Sequence, residues 1–290
     1  MRYAAALTLA LLSSGARAQE KAFDSGGTKI AYIDEGRGEV VVLLHGFATS
    51  AEEMWTKMPL ARTQFLPVLA KEYRVVAVDQ RGHGRSDKPH DPDRYGREMA
   101  GDVVRLLDHL KVKNAHVVGY SMGAMVAGRL LASHPDRLLS VTFGGGAPLL
   151  PQPRELPVLG ATIESLEKGK GIGPLVAALT PAGEDGPAPE QVAAFGELFV
   201  WGKDQKALAA VLRGFKGLEV TEAELKAAGV PVQFVYGSRE ATFLKDGIAA
   251  ARRVLPGSRA VVVDKGDHGS TFLTPEFRAA VLGFLRTARE

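Results

Sequence analysis

One pentapeptide constrains this chain more than any other feature: Gly119-Tyr120-Ser121-Met122-Gly123, a G-x-S-x-G pattern. Its setting gives it weight. His116-Val117-Val118 runs into it as a β-rich apolar stretch, and residues 122–134 leave it with helical character. A strand that turns straight into a helix has no room for side chains two positions before and two after the turn residue, hence Gly119 and Gly123. Such a turn lifts Ser121 Oγ above a sheet at a helix N-terminus, where backbone N–H groups favour developing negative charge.

The rest of the chain supplies the sheet that this turn needs. Strands are expected at 29–33, 40–44, 74–78, 115–120, 138–143, 231–236 and 258–263. Helices are expected at 65–72, 99–111, 122–134, 243–255 and 275–287. This alternation is the mark of an α/β protein with a mostly parallel sheet flanked by helices. Thr221-Glu222-Ala223-Glu224 fits a capping box that starts a short helix ended by Gly229. Between 147 and 216 the alternation stops. That stretch carries Pro148, Pro151, Pro153, Pro157, Pro181, Pro187 and Pro189, and reads as short helices, including 189–201 and 204–215. A stretch this long is an inserted helical cap rather than a loop, so the core is expected at 19–146 and 217–290.

Composition removes several classes of function. With 36 Lys+Arg against 33 Asp+Glu, scattered along 290 residues, no basic face for nucleic acid is expected. The absence of cysteine excludes disulfides, Cys-zinc sites, Fe–S clusters and a Cys nucleophile. Arg2 followed by the apolar run 3–12 and by Ala16-Arg17-Ala18 has the layout of a secretory signal peptide, with residues 1–18 removed and Gln19 as the new N-terminus. The apolar run is about half the ~20 residues of a membrane span, so no stable membrane anchor is expected. The expected location is periplasmic or extracellular.

A nucleophilic serine needs an oxyanion site, a base and an acid. His45-Gly46-Phe47 follows the apolar run 40–44, and the amides of Phe47 and Met122 are the natural oxyanion pair, with His45 itself structural. Of the seven histidines, His90, His109, His116 and His134 look like surface or helix-end residues, and His83 belongs to a glycine-flanked turn. His268, in Gly266-Asp267-His268-Gly269, follows the last strand and suits the chain order Ser, acid, His. For the acid, Glu240 stands three residues past Gly237 at the end of a strand. Asp264 and Asp246 are rivals, and Asp267 is poorly placed to reach the ring of its neighbour. In the cap, Phe195, Phe199 and Trp201 fall at helical spacings, as core packing or as a substrate wall, with Phe199 and Trp201 the candidate substrate-binding residues.

These segments, together with the run from Asp79 through Gly82, Gly84 and Ser86 to Pro89, resemble the α/β-hydrolases of the group that includes non-haem-peroxidase-like esterases, lipases and C–C bond hydrolases. The resemblance covers nearly all of the chain outside the cap and leader. It implies an eight-stranded sheet, a lid after the sixth strand, and a Ser–acid–His triad that needs no cofactor and no metal. Glu240 departs from the usual aspartate. The expected activity is hydrolysis of a small-molecule carboxylic ester through an acyl-enzyme on Ser121. Lactonase, thioesterase, acyltransferase and C–C hydrolase chemistry share this site, and a catalytically silent binding protein on the same fold is the rival of a different class.

Overall fold

Val40–Leu44 is buried at every position, as a strand covered on both faces must be, and it forms the middle of the sheet. The computed structural model describes residues 20–57, 64–151, 157–181 and 188–288, so the expected leader at residues 1–18 and the mature N-terminus Gln19 lie outside the described residues. Among those described are eight strands: β1 (Glu20–Asp24), β2 (Lys29–Gly36), β3 (Val40–Leu44), β4 (Arg74–Val78), β5 (Ala115–Tyr120), β6 (Leu138–Gly144), β7 (Val232–Gly237) and β8 (Arg259–Val263). They form one sheet in the order β1-β2-β4-β3-β5-β6-β7-β8. β1 and β2 pair antiparallel at one edge, β2 joins β4 antiparallel, and every pairing from β4 onward is parallel. The sheet is the expected mostly parallel one. β1 is the strand that the pattern of apolar runs did not reveal.

The α-helices are α1 (Ala51–Trp55), α2 (Phe65–Leu69), α3 (Arg97–His109), α4 (Met122–Ser133), α5 (Pro157–Glu167), α6 (Gly173–Leu179), α7 (Pro189–Phe199), α8 (Gln205–Arg213), α9 (Glu222–Ala227), α10 (Thr242–Val254) and α11 (Pro275–Thr287). Alternate residues of each central strand face opposite sides. Val42 and Leu44 pack with Met99, Val103 and Leu130 in one core, whereas Val41 and Leu43 pack with Trp55, Leu66 and Phe277 in the other. Helices α5 to α8 all lie between β6 and β7, two strands that pair directly. The two ends of this insertion meet where Val220 N–H donates to Leu149 O at 2.9 Å. Helix α8 seats it on the core, with Leu208, Val211 and Leu212 buried.

His116 overturns its expected surface position. It points into the sheet from β5, is 1% exposed, and its Nδ1 lies 2.7 Å from Ser140 Oγ. Period-2 alternation on a strand covered on both faces buries polar and apolar positions alike, which the histidine's polarity concealed.

The capping box forms as expected: Thr221 Oγ1 accepts from Glu224 N–H and Glu224 accepts from Thr221 N–H. Glu224 also receives Arg129 Nη2 at 2.9 Å, tying α9 to α4. The Thr221 amide, then Arg129, hold the Glu224 carboxyl down to about 2 from its ordinary 4.5. Its folded value is depressed, so its stabilisation is present above about pH 4.5 and is lost as pH falls towards 2. Because the group is partly exposed, Glu224→Gln should cost only about 1 kcal/mol at neutral pH. Urea midpoints of the two proteins should converge on acidification through that window; a gap that persists at the acid end would contradict the assignment.

Candidate active site

The turn at Ser121 is built as the pentapeptide demands. Ser121 caps α4 with φ 54° and ψ −116°, a left-handed conformation that costs a non-glycine residue about 1–3 kcal/mol and persists only where its surroundings enforce it. The enforcement is steric. A Cβ on Gly119 would lie 2.2 Å from Gly123 O, and one on Gly123 would lie 2.2 Å from Leu44 O. The elbow is thus pressed against the end of β3, and Gly46, just past that strand, stands with its Cβ position 3.5 Å from Ser121 Cβ.

Three loops at the carboxyl ends of the strands bring the other groups to Ser121. A Cβ on Gly237 would lie 2.0 Å from Gly266 O, and Arg239 N–H donates to that same oxygen at 2.9 Å, so the loops after β7 and β8 touch. Across this junction His268 Nδ1 lies 2.9 Å from Glu240 Oε1, and His268 Nε2 lies 3.0 Å from Ser121 Oγ. The side chain of Glu240 is fully buried, and its Oε2 has no hydrogen-bond partner among the described residues. With Nδ1 donating to that carboxylate, the lone pair of Nε2 faces the serine hydroxyl. Asp264 and Asp246 are exposed and do not join this chain of bonds.

Tyr120, which sequence reasoning did not single out, and Asp267, weighed there only as a partner for the ring, hold the histidine in place. Tyr120 OH donates to His268 O at 2.8 Å. Burial, then the charges of Glu240 and Asp267, push the Tyr120 phenol well above its ordinary value, so it stays a donor. Asp267 Oδ1 accepts from Gly269 N–H at 3.0 Å, from Ser270 N–H at 2.8 Å and from Ser270 Oγ at 2.6 Å, which fixes the turn carrying His268. The signals were the variable position inside the pentapeptide and an Asp two and three residues before small polar partners.

The turn after β3 lies beside the elbow. Among the described residues, the amides of Phe47 and Met122 have no protein acceptor. His45 is fully buried, and desolvation lowers its pKa, keeping it neutral. Its Nδ1 lies 2.8 Å from Gly46 O while its Nε2 accepts from Gln80 N–H at 3.1 Å, the tautomer the network requires. Gln80 Nε2 returns a bond to His45 O at 2.7 Å. Asp79 accepts from Ala51 N–H at 2.8 Å and Arg85 N–H at 3.0 Å. The segment from Asp79 to Pro89 is thus a clamp on the turn after β3. Within that turn Ala48, fully buried, is left-handed at φ 58°, a geometry costing about 1–2 kcal/mol for a residue with a Cβ.

Among the described residues no ring contact joins either cap aromatic to His268. Trp201 is 82% exposed. It lines a cavity of about 260 Å³ with Thr49, His83 and Lys203, none of them triad residues. Phe199 packs on Phe195 at 5.8 Å between centroids. The three aromatics divide: Phe199 packs against the main core, whereas Phe195 and Trp201 are exposed with Leu198. Among the described residues no group of His, Asp or Glu could hold a metal.

The family model of the alpha/beta hydrolase fold matches residues 39–162, which include the turn after β3 and the elbow. The chain has the α/β-hydrolase fold. A carboxylesterase structure from the thaumarchaeon Nitrososphaera gargenis superposes on this chain with a TM-score of 0.76 over 93% of this chain and 99% of that one, at 21% identity. An N-acyl homoserine lactone degrading enzyme is 26% identical with a TM-score of 0.70, over 91% of this chain and all of that one. Epoxide hydrolase B of Mycobacterium tuberculosis is 40% identical over 129 residues, which are 41% of this chain and 34% of that protein. The chain thus spans about a third of the length of that curated relative.

Gly123→Ala places a methyl group against Leu44 O, so it should destabilise the protein by about 3 kcal/mol through overpacking at a site that is already strained. Urea denaturation checks this; a variant of unchanged midpoint would show that the elbow has slack.

Proposed function

We propose that the chain is a serine hydrolase that cleaves carboxylic esters of small molecules. The observation that carries this reading is the continuous chain of hydrogen bonds from Glu240 through His268 to Ser121 Oγ, at 2.9 Å and 3.0 Å. In the proposed reaction His268 Nε2 takes the Ser121 proton as Oγ attacks the ester carbonyl. The Phe47 and Met122 amides receive the oxyanion, and the imidazolium, stabilised by Glu240, protonates the departing alcohol. Water, deprotonated by the same histidine, then attacks the acyl-serine and releases the acid, restoring the Ser121 hydroxyl.

The choice of acyl chemistry rests on the nucleophile being a hydroxyl rather than a carboxylate. Displacement at a saturated carbon, as in opening an epoxide or expelling a halide, would leave an ether on Ser121, with no carbonyl for water to attack. A carboxylate nucleophile would leave an ester, which water can cleave. Likeness to an epoxide hydrolase over part of the chain therefore does not carry that activity across. A lactone is a cyclic ester and is opened by the same steps. The whole-length similarity to a lactone-degrading enzyme supports testing lactones beside open-chain esters.

The leader-like pattern of residues 1–18 supports export to the periplasm or the medium. Among the described residues no helix is long and apolar enough to cross a membrane. When the chain is expressed with residues 1–18 in a bacterial host, N-terminal sequencing of the exported form should begin at Gln19. An intact Met1 in a membrane fraction would refute this.

A panel of p-nitrophenyl esters and lactones tests the activity, with a fluorophosphonate probe reporting on the nucleophile. Ser121→Ala should abolish both turnover and labelling, and His268→Ala should be nearly as damaging, since the two act as a unit. The wild-type rate should fall on acidification, because only neutral imidazole accepts the serine proton. Glu240→Gln should lower kcat by about a hundredfold or more, with Asp264→Asn nearly silent. The reverse pattern would assign the acid to Asp264, and Ser121→Ala retaining a substantial share of wild-type kcat/KM would sink the proposal.

A further inference from the structure

Lys203 lies in the segment between α7 and α8, yet its ammonium ends on the core. Nζ donates to Ala48 O at 2.7 Å and to Glu53 Oε2 at 3.0 Å, and it stands 5.1 Å from the Phe199 ring centroid. Three separate elements therefore converge on one cation: the turn after β3, helix α1 and the end of α7. The Lys203 side chain is 26% exposed, so the charge is largely withdrawn from water and its hydrogen bonds are correspondingly strong.

What it holds is the strained part of the candidate oxyanion site. Ala48 follows Phe47 directly and has φ 58° with its methyl buried. The turn's own backbone bond, Thr49 N–H to Gly46 O, is long at 3.4 Å, although Thr49 Oγ1 donates to the same oxygen at 2.8 Å. The bonds from Thr49, His45 and Gln80 end on the carbonyls of His45 and Gly46, whereas the carbonyl of the left-handed Ala48 receives the charge-assisted bond from Lys203.

We propose that Lys203 is a positioning residue: by holding the Ala48 carbonyl it locks the turn, and with it the direction in which Phe47 N–H points towards the reacting oxygen. The inference rests on the ester-hydrolase reading. It also couples the insertion to the catalytic end of the sheet, because any movement that withdraws Lys203 releases the turn. Glu53 neutralises the ammonium but does not touch the turn's backbone, so it is secondary.

The test uses the full chain and compares Lys203→Met with Lys203→Arg, with and without Ala48→Gly. Lys203→Met should lower kcat by about tenfold, less than outright loss of an oxyanion donor, with KM little changed. The affinity for phenylboronic acid, whose serine adduct puts an oxygen in the oxyanion site, should fall by the same factor. Lys203→Arg should keep most of the activity. Ala48→Gly, which adopts a positive φ without strain, should recover much of the loss in the Lys203→Met background, whereas a mere tether for the insertion would not be rescued by glycine. Unchanged kcat, a loss confined to KM with unaltered boronate affinity, or no recovery with glycine overturns the proposal. Hydrogen exchange at the Thr49 amide gives a reading that needs no turnover: faster exchange in Lys203→Met supports the lock, and equal exchange overturns it. A wild-type protein that fluorophosphonate does not label would count against the ester-hydrolase reading instead, and the exchange result would still decide the role of Lys203.

Discussion

The contact on which the rest of the structure depends is the one between the elbow and the end of β3. Gly123 sits so close beneath Leu44 O that no side chain fits between them, and Ser121 is held left-handed as a result. Because β3 and β5 are parallel neighbours in register, with Leu44 opposite Gly119, the turn after β3 emerges beside the serine. The loops after β7 and β8 are then carried to the same end by the parallel pairing of β6, β7 and β8. Parallel strands put all their carboxyl ends on one side, so groups more than a hundred residues apart meet without any long side chain having to reach.

This explains how much could be read from the sequence. The glycines of the pentapeptide, the buried run of β3 and the late position of His268 report directly on sterics and chain order, and these fix the sheet and the meeting of Ser121 with His268. Glu240 was readable from its offset of three residues from Gly237, whose own lack of a side chain lets the β7 and β8 loops touch. What was hidden had no local signature. β1 is short and depends on its antiparallel partner β2 for definition. His116 is polar on a strand buried from both faces. The exposure of Trp201 is decided by how α7 lies on the insertion, a tertiary matter that helical spacing alone does not reach.

Buried polar groups do more around the site than apolar ones. His45, Gln80 and Asp79 together fasten one turn of backbone, each with at least one hydrogen bond to a main-chain atom. His83 lies against them with its ring 5.1 Å from that of His45. Burial, then the nearby His45, hold the His83 pKa well below the ordinary imidazole range. Two neutral imidazoles side by side are compatible with a dry interior; two imidazolium ions there would not be. The unfolded chain binds protons at both positions where the folded chain does not, so each histidine contributes stability that is lost as pH falls below the ordinary range.

The bond between Val220 N–H and Leu149 O closes the insertion on itself at its base, just beyond two strands that are already paired. Its stem is therefore narrow, and the entropy of closing a loop there grows only with the logarithm of its length. Segments of very different size could be spliced at that stem without disturbing the register of β6 on β7. The sheet can thus stay fixed over evolutionary time while the piece mounted on it is exchanged.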